Sequence, residues 1–100
     1  MDEFDIEKID EVIHGRVRLG IMAYLSGAGS ADFNGLKGRL QLTDGNLSAH
    51  LRKLEDAGFV EIQKAFVGRK PQTTVLITEP GRKAFAAYLD AMARLVDGSR

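Results

Sequence analysis

The chain has 100 residues, 14 Lys and Arg against 14 Asp and Glu, two histidines, and no cysteine. That length suits one domain with a modest core and leaves no room for a second domain with its own cleft. The missing cysteine excludes disulfides, thiolate metal sites and a cysteine nucleophile, and no apolar run approaches the roughly 18 residues of a bilayer span. The start Met1-Asp2-Glu3 lacks the basic and apolar regions of a secretory signal, so a cytoplasmic location is expected.

The zero net charge conceals a segregation. Residues 1–13 hold six acids (Asp2, Glu3, Asp5, Glu7, Asp10, Glu11) and one base, Lys8, whereas the rest holds thirteen bases and eight acids. An acidic arm therefore precedes a basic body. In the arm, Phe4, Ile6, Ile9, Val12 and Ile13 recur at three- and four-residue spacing, which predicts an acidic amphipathic helix over residues 1–14, broken at Gly15. A second helix follows from Arg16, with Val17, Ile21, Tyr24 and Leu25 on one stripe. The small residues Ser26-Gly27-Ala28-Gly29-Ser30 are expected to stop it.

Asp32 can cap a helix over residues 33–40 that buries Phe33, Leu36 and Leu40. Gly35 and Gly38 weaken such a helix, and close approach to a neighbouring backbone would explain them. After Gln41-Leu42, Thr43 is a second N-cap and Asp44 a favourable first-turn acid, so a helix is predicted over 44–57 with Leu47, Leu51 and Leu54 inward and Gly58 as its stop. The period then turns extended. Residues 59–64 and 73–78 read as the strands of a hairpin spanning 59–78, with the basic loop Gly68-Arg69-Lys70-Pro71 between them. Thr78-Glu79-Pro80-Gly81 opens a last helix, 79–97, whose stripe is Phe85, Leu89, Met92 and Val96, widened by Tyr88 and Leu95.

Two short helices over 32–57, joined by about three residues and followed by a basic hairpin, make a winged helix-turn-helix: mainly α, a three-helix core plus a β-hairpin wing, with flanking N- and C-terminal helices in a single domain over 1–100. With the leucines inward, the second helix turns Gly45, Asn46, Ala49, Arg52 and Lys53 outward, with Ser48 at the edge and Asp44 at its start. Asn pairs bidentately with adenine and Arg with guanine, Ser meets a base edge or a phosphate, and Gly and Ala permit close approach. Lys64, Arg69 and Lys70 would reach phosphates or the adjoining minor groove. The residues expected to contact double-stranded DNA are therefore Asp44, Gly45, Asn46, Ser48, Ala49, Arg52, Lys53, Lys64, Arg69 and Lys70.

The run from Val12 to Met22, with His14, Arg18-Leu19 and Ile21-Met22, resembles the first helices of ArsR-type regulators. Residues 42–60, from Leu42-Thr43-Asp44-Gly45-Asn46 through Leu51-Arg52-Lys53-Leu54 to Gly58-Phe59-Val60, resemble the recognition helix and first wing strand of ArsR- and MarR-type winged-helix repressors. Residues 76–82 are similar to the stretch that leads from their wing into the last helix. The resemblance spans roughly residues 10–97 and implies a homodimer on a pseudo-palindromic operator, one recognition helix per half-site. ArsR-type metal sensors use cysteine, histidine and acidic clusters; this chain has no cysteine and only His14 and His50, so no metal or other cofactor is expected. MarR-type proteins are usually longer, and a small-molecule effector stays unassigned.

In a chain this short, the last helix is expected to build the dimer through Phe85, Tyr88, Leu89, Met92, Leu95 and Val96. A protein-interaction module without specific DNA binding is the alternative that zero net charge and the acidic arm suggest. Gly35-Leu36-Lys37-Gly38 resembles the GXXG loop of an RNA-binding KH domain, but no strand is readable before its helix. No nucleophile elbow, phosphate loop or catalytic cluster is present, so no enzyme is expected and no catalytic residue stands out.

Overall fold

The structure is a computed structural model in which residues 4–98 are described. In chain order it has a single turn of 3-10 helix at Ile6–Lys8, α1 (Arg16–Ala28), β1 (Ser30–Asp32), α2 (Phe33–Leu40), α3 (Asp44–Asp56), β2 (Val60–Val67), β3 (Lys70–Ile77) and α4 (Glu79–Gly98). The three strands form one antiparallel sheet in the order β1-β3-β2. This is the winged helix-turn-helix arrangement, with β2 and β3 as the wing.

The core is a single apolar cluster. Ile13, Ile21, Met22, Leu25, Leu36, Leu47, Leu51, Leu54 and Val75 are sealed from solvent, with Val60, Phe85 and Tyr88 nearly so. Burying each such aliphatic side chain stabilises the fold by about 1.5–3 kcal/mol before entropy is counted. The three leucines of α3 supply one wall, α1 the centre and α4 the far side.

The N-terminal segment corrects the sequence reading. Instead of an amphipathic helix over 1–14, the described part holds one 3-10 turn and a second turn at residues 11–13. Two aspartates redirect the backbone: Asp5 accepts a hydrogen bond from the Glu7 amide, and Asp10 Oδ1 accepts from the amides of Val12 (2.8 Å) and Ile13 (3.2 Å). Such side-chain bonds compete with the helical ladder. Of the apolar residues of this segment, Ile13 reaches the core fully and Ile9 and Val12 in part, while Phe4 and Ile6 stay exposed. Asp2 and Glu3 of the acidic arm lie outside the described residues.

Three further differences follow from tertiary contacts. Helix α1 continues through Ser26, Gly27 and Ala28 and ends only at Gly29, whose φ of 82° suits glycine. Unforeseen from the sequence, β1 pairs Ser30 with Leu76 and Asp32 with Thr74. Three residues of Ser-Ala-Asp carry no strand signal, and the edge of β3 supplies the pairing. The wing strands also run further than expected, to a two-residue turn at Gly68 and Arg69 that places Lys70 and Pro71 inside β3. Gly68 has φ 67° and Arg69 a negative φ, the pattern of a type II′ hairpin turn with Gly at its first central position.

The helix-turn-helix itself follows the sequence closely. Asp32 caps α2 by accepting from the Gly35 amide (3.2 Å), and Thr43 caps α3 by accepting from the Asn46 amide (3.1 Å). Between them Gln41 takes the left-handed conformation (φ 56°, ψ 51°), which lets α3 leave at a sharp angle after only three linking residues. The close approach expected at Gly35 and Gly38 is absent, since an added Cβ would meet nothing within 4 Å at either position. Both lie inside helix α2 rather than in a loop, which also removes the KH-like reading.

Candidate nucleic-acid interface

Helix α3 divides cleanly into two sides. Leu47, Leu51 and Leu54 are buried, while Asp44, Gly45, Asn46, Ser48, Ala49, Arg52 and Lys53 are all exposed. The exposed side carries an amide, a hydroxyl and two cations, and its Gly45 and Ala49 leave room for an approaching surface; no heavy atom stands within 4 Å of a Cβ built at Gly45. Asp44 is engaged locally: its carboxylate accepts from Lys37 Nζ at 2.6 Å, an ion pair that joins α2 to the first turn of α3. Pairing with Lys37 leaves no uncompensated carboxylate charge at this end of α3.

The wing stands beside that face. Between α3 and the hairpin lies a concave cleft of about 670 Å³, walled by Asp44, Ser48, Arg52 and Glu55 on the helix side and by Ile62, Lys64 and Thr73 on the wing side, with Phe33 and Leu51 at its apolar base. Lys64 and Arg52 thus border one concavity. Arg69 sits in the exposed turn. Register separates the remaining wing cation from Lys64: Lys70 pairs with Val67 and Lys64 with Thr73, which places the two lysines on opposite faces of the ribbon.

Behind α3, Arg18 on α1 donates from Nη1 to His50 Nδ1 at 3.0 Å and from Nε to the Val12 carbonyl. The guanidinium is always a donor, so His50 accepts and carries its own proton on Nε2. Burial first, then the charges of Arg18 and Lys53, hold the His50 imidazole below the ordinary histidine range. His50 therefore fixes α3 against α1 as a neutral ring.

On the opposite side of the molecule, the α4 stripe splits. Phe85 and Tyr88 are spent in the protomer's own core, and Tyr88 Oη lies 2.9 Å from His14 Nδ1. Met92 packs at the core margin, Leu95 is half-buried, and Leu89 and Val96 are 50% and 55% exposed. Ile6, Ile9, Met92 and Leu95 line a largely apolar groove of about 350 Å³ between the N-terminal segment and α4.

Sequence reasoning missed three contributors: Lys37 as partner of Asp44, Arg18 as partner of His50, and the exposed Phe66 on the wing. The first two are pairings between elements, which spacing along the chain does not reveal. Phe66 lies beyond the strand expected over 59–64, and its alternation with Lys64 is the signal that places it on the wing.

Comparison with known proteins agrees with this geometry. Residues 17–96 match the family model of the winged helix DNA-binding domain. The chain is 42% identical over 85 residues, 85% of its own length and 92% of the relative's, to the uncharacterized protein MJ0432 of Methanocaldococcus jannaschii. A transcriptional regulator homologue from Pyrococcus horikoshii OT3 superposes with TM-score 0.88 at 35% identity, covering 98% of this chain and 97% of that one. The fold extends to a protein assigned to the MarR family of transcriptional regulators from Enterococcus faecalis V583 (TM-score 0.69, 24% identity, 86% of this chain and 76% of the other). Among the described residues no helix is long and apolar enough to cross a membrane. With its helix-turn-helix, its wing and its matched sequence in agreement, the chain belongs to the winged helix DNA-binding domain family.

Proposed function

We propose that this chain is a transcriptional regulator that binds duplex DNA sequence-specifically as a homodimer, with α3 in the major groove and the wing on the flanking backbone. The observation that carries the reading is the division of α3: a leucine side sealed in the core and an exposed side of Asn46, Ser48, Arg52 and Lys53 beside Lys64 and Arg69. Asn46 and Arg52 read base edges, since their planar groups match the edges of adenine and guanine. Lys53, Lys64, Arg69 and Lys70 neutralise phosphates and set the register. The regulator homologue from Pyrococcus horikoshii, similar over nearly the whole chain, supports the same role.

A second copy is the natural cover for the apolar groove beside α4 and for the exposed Leu89 and Val96. Two-fold pairing there would repeat the recognition helix and match a pseudo-palindromic site. The bound dimer acts by occupying its operator and excluding, or recruiting, polymerase.

The test is selection of bound duplexes from a random library, followed by affinity titration across salt. Log affinity should fall by about 0.9 per decade of salt for each phosphate neutralised, with one consensus preferred over mixed sequence. Failure to bind any duplex at low salt would sink the assignment. Sedimentation equilibrium of the free protein checks the dimer.

A further inference from the structure

The distal wing carries an apolar feature that the cationic tip does not account for. Side chains alternate along β2, so Ile62, Lys64 and Phe66 share one face of the ribbon. Pro71 lies directly across from Phe66, and Thr73 across from Lys64. The Phe66 and Pro71 pair therefore extends the very face whose Ile62, Lys64 and Thr73 wall the cleft beside α3. In a hairpin closed by two residues, Val67 and Lys70 form the bonded closing pair; Phe66 and Pro71 are then the non-bonded kind, whose side chains stand closer. Such a position leaves the Pro71 nitrogen toward the outer edge of β3, where β1 reaches only as far as Thr74. The two rings are thus held side by side at no cost to the ladder, yet Phe66 is 74% exposed and neither ring belongs to the core.

We propose that Phe66 and Pro71 form an apolar wedge that the wing sets against the minor-groove wall of duplex DNA, beside the major groove occupied by α3. The inference rests on the DNA-binding reading above. Charge selects the occupant: Lys64 lies on the same face two residues before Phe66, and Arg69 lies in the turn between the two strands, so cations flank the rings on both sides. They draw in a groove bordered by phosphates, and the deoxyribose wall is the apolar surface within such a groove. Phe and Pro are among the side chains that enter or line base steps from that side. The cations supply attraction that salt screens. The wedge supplies a part that salt does not, and it favours sequences whose minor groove opens readily.

The experiment compares the full chain with Phe66→Ala and Arg69→Ala by fluorescence anisotropy on the duplex selected above over a range of salt, with hydroxyl-radical footprinting of the complexes. Phe66→Ala should bind about tenfold more weakly at every salt with the wild-type slope, and lose protection of the flanking minor groove. Arg69→Ala should instead flatten the slope by about one unit. Phe66 lies outside the core, so an unchanged melting temperature will show that the variant is folded. Wild-type affinity and protection in Phe66→Ala, or a change confined to its sedimentation, overturns the wedge and leaves the DNA reading standing. No duplex binding by the wild-type chain overturns both.

Discussion

Arg18 and His50 meet at 3.0 Å, guanidinium Nη1 to imidazole Nδ1, and this contact anchors α3 to α1. The imidazole accepts only while neutral, and burial first, then the charges of Arg18 and Lys53, favour that form. Folded His50 therefore titrates below 6.5, the value of the unfolded chain. Its contribution is complete above 6.5 and is lost as the pH falls through the lower folded value, because the unfolded chain then binds more protons. In His50→Gln this component should vanish. The check is the difference between the two proteins' melting temperatures against pH, which should narrow on acidification below 6.5; a constant difference would refute the linkage.

Base reading and phosphate contact should separate by mutation. Asn46→Ala or Arg52→Ala is expected to cost about 1–3 kcal/mol on the preferred duplex and to relax preference at one position of each half-site. Lys70→Ala should weaken all sequences alike and reduce the salt dependence. Affinities on a panel of single-base variants distinguish the two patterns.

Leu89→Glu places a charge on the exposed stripe of α4 without entering the core, where Phe85 and Tyr88 already hold the helix down. The dimer dissociation constant should rise at least about tenfold, with the helical circular dichroism unchanged. Sedimentation equilibrium reads the first quantity.

Gly81 is required by a close contact. A Cβ there would stand 2.1 Å from the Phe59 carbonyl oxygen and 2.9 Å from its carbon, at the point where Thr78 caps α4 by accepting from the Gly81 amide (2.9 Å) and donating to the Gly58 carbonyl (2.6 Å). Gly81→Ala should therefore destabilise the fold by about 1–3 kcal/mol or more, seen as a lower denaturant midpoint.

Gly38 is the opposite case. It is helical and exposed, with open space where a side chain would begin. Gly38→Ala should stabilise the protein by about 0.5–1 kcal/mol by limiting the unfolded chain and favouring α2. Denaturant titration of this variant should show a raised midpoint with an unchanged slope.

What could be read from the chain was local. Asp32 and Thr43 as caps, the leucine spacing at 47, 51 and 54, Gly58 as a stop and the switch to an extended period all depend on neighbours within a few residues, and each stands in the structure. They sufficed for the helix-turn-helix, the existence of the wing and the exposed side of α3.

Only tertiary structure decided the rest, because the deciding partner in each case is remote along the chain. The edge of β3 made a strand of Ser30–Asp32, whose residues have no such preference. Phe85 and Tyr88, alike in pattern to Leu89 and Val96, were drawn into the protomer's own core because α1 and the N-terminal segment pack on that side of α4. Periodicity tells which side of a helix is apolar; what covers that side depends on contacts between residues far apart in sequence.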